Sequence, residues 1–136
     1  MNVLYLIYIV LGLIILLMLL IILKKAFWKK KFSPADLQFF RKKWEQLTLE
    51  SEKNPKIVVL EADKLLDHAL SKLGKSGNLG DKLKKHSSLF SDLNGLWSAH
   101  KLRNRIAHEL DYEPAAQEGK RALQQFKRAL KDLKAL

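Results

Sequence analysis

VLYLIYIVLGLIILLMLLIIL, residues 3–23, runs for 21 residues without a charge. Coiled as a helix it spans roughly 30 Å, the hydrocarbon thickness of a bilayer, and it reads as a single transmembrane helix. Lys24, Lys25, Lys29, Lys30 and Lys31 follow it. A cleaved signal peptide has a basic residue before a shorter apolar core and small residues after it. Met1-Asn2 and Lys24-Lys25 offer neither, so cleavage is not expected. The lysine cluster outweighs an N-terminus that brings only its α-amino group, so the positive-inside rule predicts a single pass through the inner membrane, N-terminus outside. Tyr5, Tyr8, Phe27 and Trp28 suit interfacial anchoring. Gly12 has no small residue four positions away, so no dimer motif lies in the span. The expected division is 1–31, anchor and basic juxtamembrane segment, and 32–136, a cytoplasmic domain.

That domain has room for one core of about a hundred residues. The whole chain carries 25 Lys and Arg against 14 Asp and Glu, a net charge of +11. Removing the five juxtamembrane lysines leaves 20 basic against 14 acidic residues in the domain, a surplus of six. Such a surplus favours anionic partners, RNA or phospholipid first, although a solvated basic surface needs none. There is no cysteine, which excludes disulfides, thiolate nucleophiles and Cys-ligated zinc.

Ser33-Pro34-Ala35-Asp36 reads as a helix start, and Leu37, Phe40, Trp44 and Leu47 continue at helical spacing to about Lys53. Asn54-Pro55 repeats the start signal. Val58, Ala62, Leu65, Leu66, Ala69 and Leu73 form an apolar stripe ending at Gly74, a natural C-terminal residue. A short helix is expected over 81–90, a further one from Ser91 or Asp92 through Leu110, and a last one from Pro114 with Leu123, Phe126, Leu130 and Leu133 inward. No stretch alternates with period two. The expectation is an all-α protein, one transmembrane helix and then a compact antiparallel bundle of four to five helices.

Two motifs fail on inspection. Ala69 to Ser76 ends in Gly-Lys-Ser but has Ala where a P-loop needs Gly, and it closes a helix instead of opening one. His108-Glu109 begins a zinc-protease motif, but Tyr112 stands where its second His belongs, and His100 and His108 are eight residues apart. No metal ion and no cofactor is expected. His68 and His86 read as surface residues.

The informative stretch runs from Leu96 to Glu109, Leu-Trp-Ser-Ala-His-Lys-Leu-Arg-Asn-Arg-Ile-Ala-His-Glu. It resembles the HEPN family, whose signature is an Arg, usually followed by a polar residue, and a His after four to six others. Arg103-Asn104 and His108 match with four. Glu61-Ala62-Asp63-Lys64-Leu65-Leu66, with Leu70 and Gly74, looks like the family's preceding helix, and Pro114 to Leu136 like its closing one. The likeness covers roughly 55–135 and leaves the anchor outside.

Cleaving RNA without a metal needs a base for the 2′-hydroxyl proton, a proton donor for the leaving oxygen, and a cation for the charge gathering on phosphorus. His108 and Arg103 suit those jobs, since imidazole titrates near neutrality and guanidinium stays charged. At about 100° per residue they point roughly 140° apart, whereas Asn104 and His108 share a face. The resemblance implies a remedy: HEPN ribonucleases typically dimerise so that both copies of the motif line one cleft, with Asn104 orienting the scissile phosphate. Lys101 and Arg105 are candidates for RNA backbone contacts, though Arg105 with Glu109 also reads as an ordinary i,i+4 ion pair. Without function, Arg103 is a surface arginine and His108 a partly buried histidine near a helix C-terminus. The leading expectation is thus a membrane-anchored, homodimeric, metal-independent endoribonuclease. The rival is a non-catalytic module that binds RNA, a nucleotide or an unidentified protein partner, and a third possibility is a lipid-surface protein with the bundle as spacer.

Overall fold

The computed structural model describes residues 2–27 and 30–136, and every regular element among them is helical. They fall into two units, the first ending at Lys30 and the second spanning Lys31–Leu136. The first is a single helix, α1 (Val3–Phe27), long and apolar enough to cross a membrane. Its large apolar side chains from Val3 to Leu23 are all exposed, as is expected of a helix whose solvent is lipid. Tyr5 and Tyr8 stand on it as exposed side chains. Trp28 and Lys29, and the side chains of Ala26 and Phe27, lie outside the described residues.

The second unit opens with α2 (Pro34–Glu50), started by a reciprocal cap: the Asp36 N–H donates to Ser33 Oγ at 3.1 Å and the Ser33 N–H to Asp36 Oδ2 at 3.0 Å. α2 stops three residues before the expected Lys53. The Thr48 and Ser51 hydroxyls bond back to main-chain carbonyls, and Pro55 pushes Asn54 out of the helical region, to φ −137° and ψ 64°. α3 (Pro55–Lys72) starts without the side-chain cap expected of Asn54, whose amide donates instead to Glu50 Oε2. It ends as its sequence suggests, with Gly74 at φ 78° and the Lys75 N–H donating to the Leu70 carbonyl.

α4 (Leu79–Lys85) is shorter than expected, because the chain leaves helical geometry at His86 (φ −123°) and passes through a 3-10 turn at Ser87–Leu89. Its Lys82 is buried against α3, where the ammonium donates to Asp67 Oδ1 and Ser71 Oγ, each at 2.7 Å. α5 (Leu93–His108) begins after the Asp92 cap and ends two residues before Leu110. α6 (Ala116–Asp132) begins two residues after Pro114.

The core lies where α3, α5 and α6 meet, with Phe40 and Trp44 of α2 added to it. Val58, Ala62, Leu65, Leu66 and Ala69 of the α3 stripe are buried, as are Phe126, Leu130 and Leu133. Leu73 and Leu123 are only half-buried. Lys127, Arg128, Lys131 and Lys134 are exposed.

Truncating the fully buried Phe126 to Ala is expected to lower stability by about 3–5 kcal/mol, read from chemical denaturation of the full chain in micelles. The cap gives a second test. The Ser33 N–H, the Ser33 hydroxyl and Lys72 hold the Asp36 carboxyl at about 2, below the ordinary 3.8. A depressed folded value means that the contribution is whole above 3.8 and disappears as pH falls through about 2. Over that window the denaturation midpoint should drop less in Asp36→Asn than in the parent.

Candidate functional site

On α3, Asp63 occupies an inward phase between Val59 and Leu66, and it is 4 % exposed. A carboxylate withdrawn from water so far needs partners within reach. α5 supplies two, three residues apart on one face. The His100 Nδ1–H donates to Asp63 Oδ1 at 2.7 Å, and Arg103 Nε lies 3.3 Å from Oδ2.

The Arg103 contact is a charge pair, poorly aligned for hydrogen bonding, and it leaves the buried Nε–H without a hydrogen-bond acceptor. Arg103 instead donates from Nη1 to Asn104 Oδ1 at 3.0 Å. With its oxygen so engaged, Asn104 turns its amide nitrogen to His100 Nε2 at 3.5 Å, the long limit of such a contact. Four side chains close a ring: Asp63, His100, Asn104 and Arg103. The arrangement selects one tautomer, because a ring nitrogen approached by an amide N–H must carry the lone pair. In the neutral form of His100 this arrangement puts the proton on Nδ1, facing Asp63, and leaves the lone pair on Nε2.

The ring lines a cleft of about 740 Å³ between α3, α5 and the start of α4. Lys64, Asp67, His68 and Ser71 edge it from α3, and Leu79 and Gly80 from α4 with Asn78 just before it. A Cβ built on Gly80 would lie 3.3 Å from Asn78 Oδ1 and 3.8 Å from both His100 Nε2 and the Trp97 ring, so the start of α4 packs close to the imidazole. A second cleft of about 430 Å³, between α2, α3 and α6, is lined by Trp44, Pro55, Val58 and Leu123 among others and contains no histidine.

Of the residues singled out in the sequence, Arg103 and Asn104 line the larger cleft together. His108 does not: it is exposed at the end of α5, unlike the partly buried histidine of the non-functional alternative, and it is absent from the cleft lining. Lys101 and Arg105 are exposed. Arg105 does make the i,i+4 pair with Glu109 at 3.3 Å, and its guanidinium sits 4.1 Å over the Tyr112 ring. An RNA contact from Arg105 would compete with both. His68 is exposed, as expected, but it stands at the cleft edge against the Phe39 ring.

Asp63 and His100 were not picked out as site residues by reading the sequence. A signal existed for each. Asp63 is an acid in the apolar phase of a stripe, and His100 precedes Asn104 by one helical turn. The chain was compared with family models, with curated proteins and with solved structures, and none of them matches it.

If Asp63 holds the cleft, then Asp63→Ala should cost about 1–3 kcal/mol more stability than Asp63→Asn, which keeps one acceptor. In the parent, ¹⁵N spectra should show His100 with a pyridine-type Nε2, and that signature should be lost in Asp63→Ala.

Proposed function

We propose that this chain is a membrane-tethered HEPN-like endoribonuclease, an antiparallel helical bundle that cuts RNA without a metal and works as a homodimer at the cytoplasmic face of the inner membrane. One observation carries the reading: Arg103 and Asn104, adjacent in the motif, line a common cleft beside an imidazole. A guanidinium at the wall of a polar cleft is suited to the non-bridging oxygens of a phosphodiester, and it stays charged at every working pH. The volume lies within the range of nucleotide-sized sites. His108, exposed and about 140° around α5 from Arg103, is free to enter the cleft of a second copy. The surplus of six positive charges supports an anionic substrate. The basic juxtamembrane cluster supports the cytoplasmic placement.

The same exposure of His108 favours a second reading, in which the cleft only binds. There Arg103 and Asn104 grip a phosphate of RNA or a nucleotide, and no proton is moved.

The full-length protein in detergent micelles, given RNA in the presence of EDTA, separates the two. The expected result is chelator-resistant cleavage that falls by about 10²–10³-fold or more in kcat/KM in Arg103→Ala and in His108→Ala of unchanged helicity. An intact substrate that Arg103 nevertheless retains on the protein would select the binding module.

A further inference from the structure

The ribonuclease reading leaves one well-placed imidazole without a task. His100 sits within one protomer beside Arg103 and Asn104, at the wall of the cleft. Its Nδ1–H is committed to a carboxylate that is itself buried, and its Nε2 lies at the cleft wall beside Gly80. A base must be oriented, present its lone pair toward substrate, and stay neutral until the moment of transfer. The Asp63 contact meets the first condition by geometry, and the second is met when the substrate hydroxyl displaces the long 3.5 Å approach of the Asn104 amide at Nε2.

We infer that His100 is the general base of this cleft, carried in the same protomer as the phosphate-holding Arg103, with Asp63 and Asn104 as its positioning residues. The inference rests on the ribonuclease reading and assigns its proton traffic. The 2′-oxygen forms a bond to phosphorus while the bond from phosphorus to the 5′-oxygen breaks. Nε2 of His100 takes the 2′-hydroxyl proton, and the imidazolium of His108 from a second copy gives a proton to the departing 5′-oxygen. The products are a 2′,3′-cyclic phosphate and a 5′-hydroxyl, and exchange with water restores both histidines. His100 thereby becomes the base and His108 the acid, which separates two jobs that the motif alone leaves merged.

The charges around His100 are Asp63, Lys64 and Asp67 from α3, with His68 at the rim, and Arg103 on its own helix. The start of α4 lines the cleft with Leu79, Gly80 and the capping Asn78, all uncharged, and the buried Lys82 ammonium of α4 is bonded to Asp67.

The test uses the full-length protein in micelles and two RNAs, one ordinary and one with sulfur replacing the bridging 5′-oxygen at the scissile bond. A thiolate leaves without a proton, so the sulfur substrate relieves the need for an acid but not for a base. His100→Asn keeps an N–H for Asp63 and removes the basic nitrogen. It should cut ordinary RNA about 10²–10⁴-fold more slowly, lose the acid limb of the pH–rate profile, and gain nothing from sulfur. His108→Ala should recover on the sulfur substrate. Recovery of His100→Asn by sulfur, or parental cleavage by it while Arg103→Ala and His108→Ala are dead, overturns the inference and leaves the ribonuclease reading standing. A parent that cuts no RNA overturns both. Should His100→Asn fold poorly, an NMR titration of His100 in the parent decides: coincidence with the acid limb supports the role, and a mismatch refutes it.

Discussion

One carboxylate, Asp63, is the point on which the arrangement of α3 and α5 depends. Placing a charge at 4 % exposure in an apolar stripe costs several kcal/mol unless both oxygens are engaged. They are engaged by two residues of one α5 face, His100 and Arg103, so the observed register of the two helices leaves both carboxylate oxygens partnered. The Asp63 pairings set the direction in which α5 points its polar groups.

The consequences pass around the ring in a fixed order. Arg103, drawn toward Asp63, presents Nη1 to Asn104 and thereby decides which way the Asn104 amide faces. That amide decides which nitrogen of His100 is basic, and the Asp63 contact at the other nitrogen agrees. Each side chain is oriented by two neighbours, and this over-determination is what a preorganised cleft requires. Lys82 acts as a separate brace: its buried ammonium joins α4 to Asp67 and Ser71 of α3, and so keeps the Gly80 wall close to the imidazole.

What was legible in the chain, and what was not, follows from the range of the forces involved. Ser33 and Asp36 speak to one another across a single turn, and Gly74 answers a local need for positive φ, so both helix boundaries could be read directly. The inward set of α3 and α6 was legible because periodicity is a property of one helix. The division of α4 from its 3-10 turn, and the early end of α2, depend on backbone competition that residue type signals only weakly. For the cleft, angles around α5 separated Arg103 from His108 correctly, yet the same angles say nothing about a neighbouring helix. Asp63 is 37 residues from His100, and only packing brings the two together. Asn104 was placed with His108 on the strength of a shared face, when its actual partner is the histidine one turn earlier.

Under the proposed reading, α1, long and apolar enough to cross a membrane, bears on the chemistry through concentration. All four residues of the ring belong to the unit spanning Lys31–Leu136, so the cleft does not draw on α1 for any of its walls. If His100 and Arg103 of one protomer already hold the base and the cation, a second copy is needed only to deliver one exposed imidazole, His108. A contact so limited buries little surface, and in free solution it would be weak. Anchoring two chains in one membrane raises their effective concentration without any new contact between them, in the way that a linker does for paired binding modules. Under the proposed reading, the tether thus answers a need that the cleft itself creates: it makes a transient, small-area encounter frequent enough to supply the proton that the leaving oxygen requires.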